Sequence, residues 1–160
     1  MVLRKLTLIA LIAFTIPAVA SAGTSETLFG PRIGLSSSPD QLVVGAQLEF
    51  PEFAPHLTVD PNLELGFLDN RTTISMNADF LYHFAISGSA WTPYTGLGLG
   101  INLTQFDHSF NRDSETDIGA NLTLGASAPT RSGNRFFGEL RVGLGDIPQL
   151  KLIAGWNFKM

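Results

Sequence analysis

The chain has 160 residues, 44% hydrophobic and only 15% charged, with 16 glycines, 9 prolines and no cysteine. That length suits one domain, and the missing cysteines exclude disulfides, thiolate metal sites and cysteine nucleophiles. A formal charge of −4 is the wrong sign for a nucleic-acid partner.

The first 22 residues read as an address. A basic start with Arg4 and Lys5 precedes an almost wholly apolar run from Leu6 to Ile16, then Pro17, then the small residues Ala20-Ser21-Ala22. This is the three-part order of a secretory signal peptide. The run is shorter than the roughly 20 apolar residues a spanning helix needs, and Pro17 breaks it. Cleavage after Ala22 leaves residues 23–160 as a single domain, with 8 basic and 14 acidic residues and a net charge of −6.

Beyond Gly23 apolar residues alternate with polar ones or glycine, the period of a β-strand. Turn signals recur often enough for a barrel or sandwich. The first segment, Leu28 to Ser36, sets Phe29, Ile33 and Leu35 against Arg32 and Gly34; Ser37-Ser38-Pro39-Asp40 turns the chain. The second, Gln41 to Phe50, sets Leu42, Val44, Ala46, Leu48 and Phe50 against Gln41, Gly45, Gln47 and Glu49. The third, Leu57 to Leu68, carries Leu63, Leu65 and Phe67 opposite Glu64 and Gly66; Pro61 argues against pairing in its first half.

The fourth segment, Thr73 to Ile86, aligns Ile74, Met76, Phe80, Tyr82 and Phe84 on one face, with Asp79 and His83 on the other. In the fifth, Trp91 to Gln105, Leu97, Leu99, Ile101 and Leu103 alternate with Gly96, Gly98, Gly100 and Asn102. The sixth, Asp117 to Ala126, sets Ile118, Leu122 and Leu124 against Asn121 and Thr123. The seventh, Arg135 to Leu144, sets Phe136, Leu140 and Val142 against Arg135, Glu139 and Arg141. The eighth, Gln149 to Met160, sets Leu150, Leu152, Trp156 and Phe158 against Lys151, Asn157 and Lys159.

Eight antiparallel strands can close and leave no unpaired edge. A soluble ligand-binding barrel would turn its apolar face inward; a membrane barrel turns it toward lipid and encloses the polar face. Three features favour the second. The glycines of the fifth segment share the polar face, where a narrow lumen needs small residues to admit long ones. The polar face carries few charges, of both signs: Arg32, Glu49, Glu64, Asp79, Arg135, Glu139, Arg141 and Lys151. A soluble surface holds more, whereas enclosed charges are sparse and paired. Finally, Phe29, Phe50, Tyr82, Phe84, Trp91, Phe136, Trp156 and Phe158 cluster at the starts of odd segments and the ends of even ones. Those positions share one rim of an up-and-down barrel, as an interfacial girdle does. Phe67 and Phe106 are the candidates at the opposite rim. The expected fold is therefore an all-β, eight-stranded antiparallel up-and-down transmembrane β-barrel.

The terminal Ala20-Ser21-Ala22 of the leader, the strand Leu97-Gly98-Leu99-Gly100-Ile101-Asn102-Leu103 and the closing stretch from Leu150 to Met160 together resemble the small bacterial outer-membrane β-barrel proteins, of the opacity-protein-like class. The last stretch resembles that class's C-terminal assembly signal, with Met160 where Phe is usual. The resemblance implies residence in the outer membrane, lipid and lipopolysaccharide as surroundings, an assembly machine as partner, a monomeric state, and termini facing the periplasm.

The polar run from Asp107 to Thr116 reads as the longest surface loop. Carboxylates at 113, 115 and 117 offer oxygen ligands to Ca²⁺, but the run lacks the glycine and spacing of a calcium loop. The enclosed charges Arg32, Glu49, Glu64, Asp79, Glu139, Arg141 and Lys151 read as a sealed ion-pair network, with Glu139 meeting Arg141 or Lys151, and Asp79 near His83 or Arg32. No catalytic, cofactor-binding or metal-binding residues are assigned. His108-Ser109 is the one stretch suited to a lipid-modifying enzyme, yet none of His56, His83 and His108 has Ser two residues on, the pattern lipid A deacylases show. Asn70-Arg71-Thr72, Asn102-Leu103-Thr104 and Asn121-Leu122-Thr123 match a glycosylation acceptor but read as turn and strand residues. The expected role is structural or surface-interacting; the alternatives are a soluble barrel binding an apolar ligand, and a lipid-modifying enzyme.

Overall fold

A computed structural model describes residues 26–68, 71–108 and 111–160; of residues 107–108 and 111–113 it describes only the backbone. The leader at residues 1–22 lies outside the described residues. Eight strands run in chain order: β1 (Leu28–Ser37), β2 (Gln41–Glu49), β3 (Leu57–Leu68), β4 (Arg71–His83), β5 (Thr92–His108), β6 (Asn111–Pro129), β7 (Arg135–Gly145) and β8 (Leu150–Lys159). Each pairs antiparallel with its neighbours, and β1 pairs with β8 to close the barrel. Except for β5 and β6, the strands have 9 to 13 residues, close to the span a tilted strand needs to cross a bilayer. The start of β1 and the end of β8 lie at one rim, called here the terminal rim.

The period-two pattern places side chains as it predicts. Leucines and isoleucines of the apolar face stand on the outside, Leu99 67% exposed and Leu152 62%. The interior holds Arg32, Glu64, Asp79, Glu139, Arg141 and Lys151, all buried. The glycines of β5 face inward, each against a larger side chain of β4. A Cβ on Gly98 would meet the Asp79 carboxylate, one on Gly100 would lie 2.5 Å from Asn77 Oδ1, and one on Gly96 would lie 2.5 Å from a Leu81 methyl.

Three expectations need correction. The stretch from Asp107 to Thr116 is not a loop: β5 runs to His108 and β6 begins at Asn111, the two pairing through His108↔Asn111. Ladder hydrogen bonds come from the backbone, so polar side chains do not stop two strands that stay in register beyond the barrel wall. β3 continues through Pro61, which pairs with Ala78 of β4; the β2 ladder ends at Asn62, so Pro61 has a partner on one side only. β4 stops at His83, leaving Phe84 and Ile86 in the following connection.

Candidate functional site

The interior is organised as an ionic layer between two wells. Lys151 Nζ lies 2.7 Å from Glu64 Oε2. Glu64 Oε1 lies 3.1 Å from Arg32 Nε, close enough for an ion pair though misaligned for a hydrogen bond. Arg32 also meets Glu139, Glu139 Oε1 accepts from Arg141 Nε at 2.7 Å, and Arg141 meets Asp79. The result is an unbroken chain of three cations and three anions in alternation, Lys151–Glu64–Arg32–Glu139–Arg141–Asp79, whose formal charges cancel. Glu64 is 1% exposed and Arg141 2%, so pairing is what makes the burial tolerable.

Amides and a phenol extend the layer. Asn62 donates to Asp79 Oδ2 at 2.8 Å, Asn77 to Asn62 at 2.9 Å, and Asn121 to Asn77 at 3.1 Å. Arg32 Nη1 donates to Gln47 at 2.9 Å, and the Tyr94 hydroxyl to Glu139 Oε2 at 3.1 Å. Arg141 Nη1, Asp79 Oδ1 and Thr123 Oγ1 have no hydrogen-bond partner among the described residues. Beside the charges, Val43, Phe137 and Ile153 form a small apolar cluster inside the lumen. A Cβ on Gly155 would run into the Phe137 ring, and one on Gly125 would lie 2.6 Å from the Tyr94 oxygen. Two glycines thus make room for the two large rings.

Arg32, Glu49, Glu64, Asp79, Glu139, Arg141 and Lys151 are buried in the lumen together with Asp60 of β3, which the sequence did not single out, and several pairings differ from those expected. Glu139 does meet Arg141, on its own strand. Asp79 pairs with Arg141 of β7 rather than with His83 or Arg32, and Lys151 pairs with Glu64 of β3 rather than with Glu139. Long side chains in a narrow cylinder reach across the axis, so partners come from strands that share no ladder.

At the terminal rim a well of about 360 Å³ is lined by Glu49, Thr58, His83 and Arg135 among others. Arg135 donates to Glu49 Oε1 at 2.9 Å, and Asn157 to Glu49 Oε2 at 3.1 Å. Thr58 donates to Asp60 Oδ1 at 2.7 Å, and its oxygen lies 3.1 Å from His83 Nε2. The Thr58 hydroxyl thus joins Asp60 and His83 in one buried polar cluster. At the opposite rim a second well of about 570 Å³ is lined by Arg71, Asn102, Phe106, Glu115, Asp117 and Asp146 among others. Ile147, in the connection after β7, is buried. Of the sequence candidates there, Ser109 and the side chains of His108 and Asp113 lie outside the described residues; Asn102 and Asn121 are buried strand residues.

Phe29, Tyr82, Phe84, Trp91, Phe136, Trp156 and Phe158 are exposed near the terminal rim. Phe29 lies opposite Phe158 in the ladder. The Phe136 and Trp156 rings meet edge to face at 5.7 Å, and those of Tyr82 and Phe84 at 5.0 Å. Phe50 departs from the group: it follows β2 and lines the mouth of the terminal well, half-buried. Phe53 takes a place outside instead, its ring 6.5 Å from Phe80. Sequence reading missed Phe53 because it sits in a connection, where period two gives no face. Phe106 faces the opposite well, since even positions of β5 point inward; Phe67 is exposed outside.

No protein-family model matches the chain, and no curated protein matches it in sequence. Its fold matches solved structures. Neisserial surface protein A superposes with a TM-score of 0.64 at 16% identity, covering 84% of this chain and 96% of that one. The N-terminal β-barrel domain of Pseudomonas aeruginosa OprF gives 0.63 at 18% identity, covering 84% and 98%. The outer membrane enzyme PagL gives 0.51 at 12% identity, covering 84% and 99%. With eight strands in one closed antiparallel ring, apolar side chains outside and a paired ionic layer within, the chain has the fold of the small eight-stranded outer-membrane β-barrels.

Proposed function

We propose that the chain is an integral outer-membrane β-barrel protein with a structural or surface-interaction role and no catalytic one, its lumen plugged by polar and charged side chains. One observation carries this reading: the solvent of the outer wall must be apolar. Leu35, Leu97, Leu99, Ile118 and Leu152 are each more than 60% exposed on the wall while eight acidic and basic residues are buried inside. In water that arrangement wastes the hydrophobic effect and desolvates ions together; in hydrocarbon it reverses both penalties. The exposed rings at the terminal rim fit a membrane–water interface.

The remaining features agree. Residues 1–22 supply the export signal, and Trp156 and Phe158 on β8 supply what an outer-membrane assembly machine recognises. The closed ring leaves no edge along the wall to drive association, which favours a monomer in lipid and lipopolysaccharide. The Lys151-to-Asp79 chain fills the section between the wells, so the barrel holds no open aqueous path. The superposition on PagL carries the fold and not its activity.

Fractionation of expressing cells tests the reading. The chain is expected in the outer-membrane fraction, released only by detergent, and migrating differently on gels before and after boiling. A Leu99→Cys variant is expected to react with a membrane-soluble maleimide and resist a charged one. Recovery in the aqueous periplasmic extract, or ready labelling by the charged reagent, refutes membrane residence. Stable conductance steps from the purified barrel in a planar bilayer refute the plug.

A further inference from the structure

The well at the rim opposite the termini is electrically unlike the layer beneath it. Every charge in that layer is paired, whereas Glu115 and Asp117 of β6 and Asp146 after β7 line the well with no ion-pair partner among the described residues. Arg71, the single basic side chain lining the well among the described residues, has its guanidinium carbon 4.6 Å from the centre of the Phe106 ring. The floor carries a second, independent sign. Asn102 is only 3% exposed, yet its amide makes no hydrogen bond among the described residues. Asn62, Asn77, Asn121 and Asn157, equally enclosed, are all bonded. A buried amide is ordinarily satisfied, and this one lines the well.

The ligand chemistry follows from spacing. Among the described residues no three carboxylate or imidazole groups converge on a point that would hold a metal ion. Carboxylates spread around a well of about 570 Å³ call for a cation whose charges are themselves spread out, and that volume lies within the usual range of about 300–1,000 Å³ for small-molecule sites. We propose that this well binds a linear aliphatic polyamine, whose separated ammonium groups meet Glu115, Asp117 and Asp146 in turn, with one N–H donated to Asn102 Oδ1 at the floor. The well exists whatever solvent surrounds the outer wall, so the proposal stands apart from the reading of membrane residence.

The test is calorimetric titration of spermidine into the folded barrel in nonionic detergent at fixed ionic strength, with Mg²⁺ titrated in parallel. One saturable site for spermidine is expected, weakened at least tenfold in the Glu115→Gln/Asp117→Asn double variant and in Asn102→Ala, and unchanged in Asp40→Asn, an exposed acid of the same rim outside the well. If the double variant loses its heat-shifted gel band, Asp146→Asn, in a connection outside the strands, takes its place with the same expected weakening. Three results overturn the proposal: no saturable binding, Mg²⁺ competing as well as spermidine at equal ionic strength, or equal weakening by Asp40→Asn, which reduces the effect to screening of surface charge.

Discussion

Leu99→Arg discriminates between water and hydrocarbon as the solvent of the outer wall. Leu99 lies in the middle of β5 with Ala78 of β4 and Ala120 of β6 as cross-strand neighbours. At 67% exposure it packs against little, so an arginine there meets no steric barrier and the cost is almost wholly one of solvent. In water the substitution is close to neutral. At the midplane of a bilayer it costs about 2–4 kcal/mol, a loss of roughly 30- to 700-fold in the folding equilibrium constant. Leu42→Arg is the internal control: Leu42 is exposed but sits next to the rim at the start of β2, where the same change costs about 0–1 kcal/mol. The assay is reversible denaturant unfolding of the barrel in lipid vesicles, followed by tryptophan fluorescence and by gel mobility. A Leu99→Arg variant within about 0.5 kcal/mol of the parent chain, or one no less stable than Leu42→Arg, refutes burial of this wall in hydrocarbon.

Gly98→Leu is expected to block assembly, because a Cβ there sits 2.9 Å from the Asp79 carboxyl carbon and 3.0 Å from the Ala78 carbonyl oxygen; loss of the heat-shifted gel band reads it out. Arg141→Met leaves Asp79 buried without its cation and is expected to cost about 3–5 kcal/mol in the same unfolding assay. Adding Asp79→Asn to that variant removes the stranded charge and is expected to recover part of the loss, a non-additivity that a double-mutant cycle measures. Phe137→Ala empties space inside the lumen that Gly155 leaves for the ring, with an expected loss of about 3–5 kcal/mol.

The faces of the strands were legible because a pleated ribbon enforces period two, so residues such as Leu97, Leu99 and Ile101 declare one side together. The inversion was legible in two further facts, the glycines of β5 lying on the charged side and the small number of charges there. Period two also made Phe137 an inward residue, yet its large apolar side chain draws attention outward, and its room comes from Gly155 on β8, a register detail no single strand carries. Pairings were the least legible. Asp79 and Arg141 are separated by 62 residues and belong to strands without a common ladder, so only the closed cylinder brings them together. The extent of β5 and β6 was hidden for another reason: Asp113, Glu115 and Asp117 are poor strand formers by composition, but the ribbon beyond the wall needs only backbone pairing. Phe53 and Ile147 escaped because connections have no period from which a direction can be read.

The ionic layer also constrains how the barrel can form and open. Its six charged residues come from β1, β3, β4, β7 and β8, so no hairpin contains enough of them to satisfy itself. Arg32 of β1 needs Glu64 of β3 and Glu139 of β7, and Lys151 of β8 needs Glu64. A sheet that has not closed must keep these charges in water, because burying any of them alone costs several kcal/mol. Closure of β1 on β8 and completion of the ion-pair chain are therefore expected to be one cooperative event. The same linkage resists opening of the lumen: moving Glu139 aside to clear a path breaks the chain and leaves Lys151, Glu64 and Arg32 with one uncompensated positive charge. A neutral, alternating chain is stable only whole, so a change that displaces one of its charges is expected to destabilise the barrel rather than open it, a cost that unfolding of the Arg141→Met variant reads out.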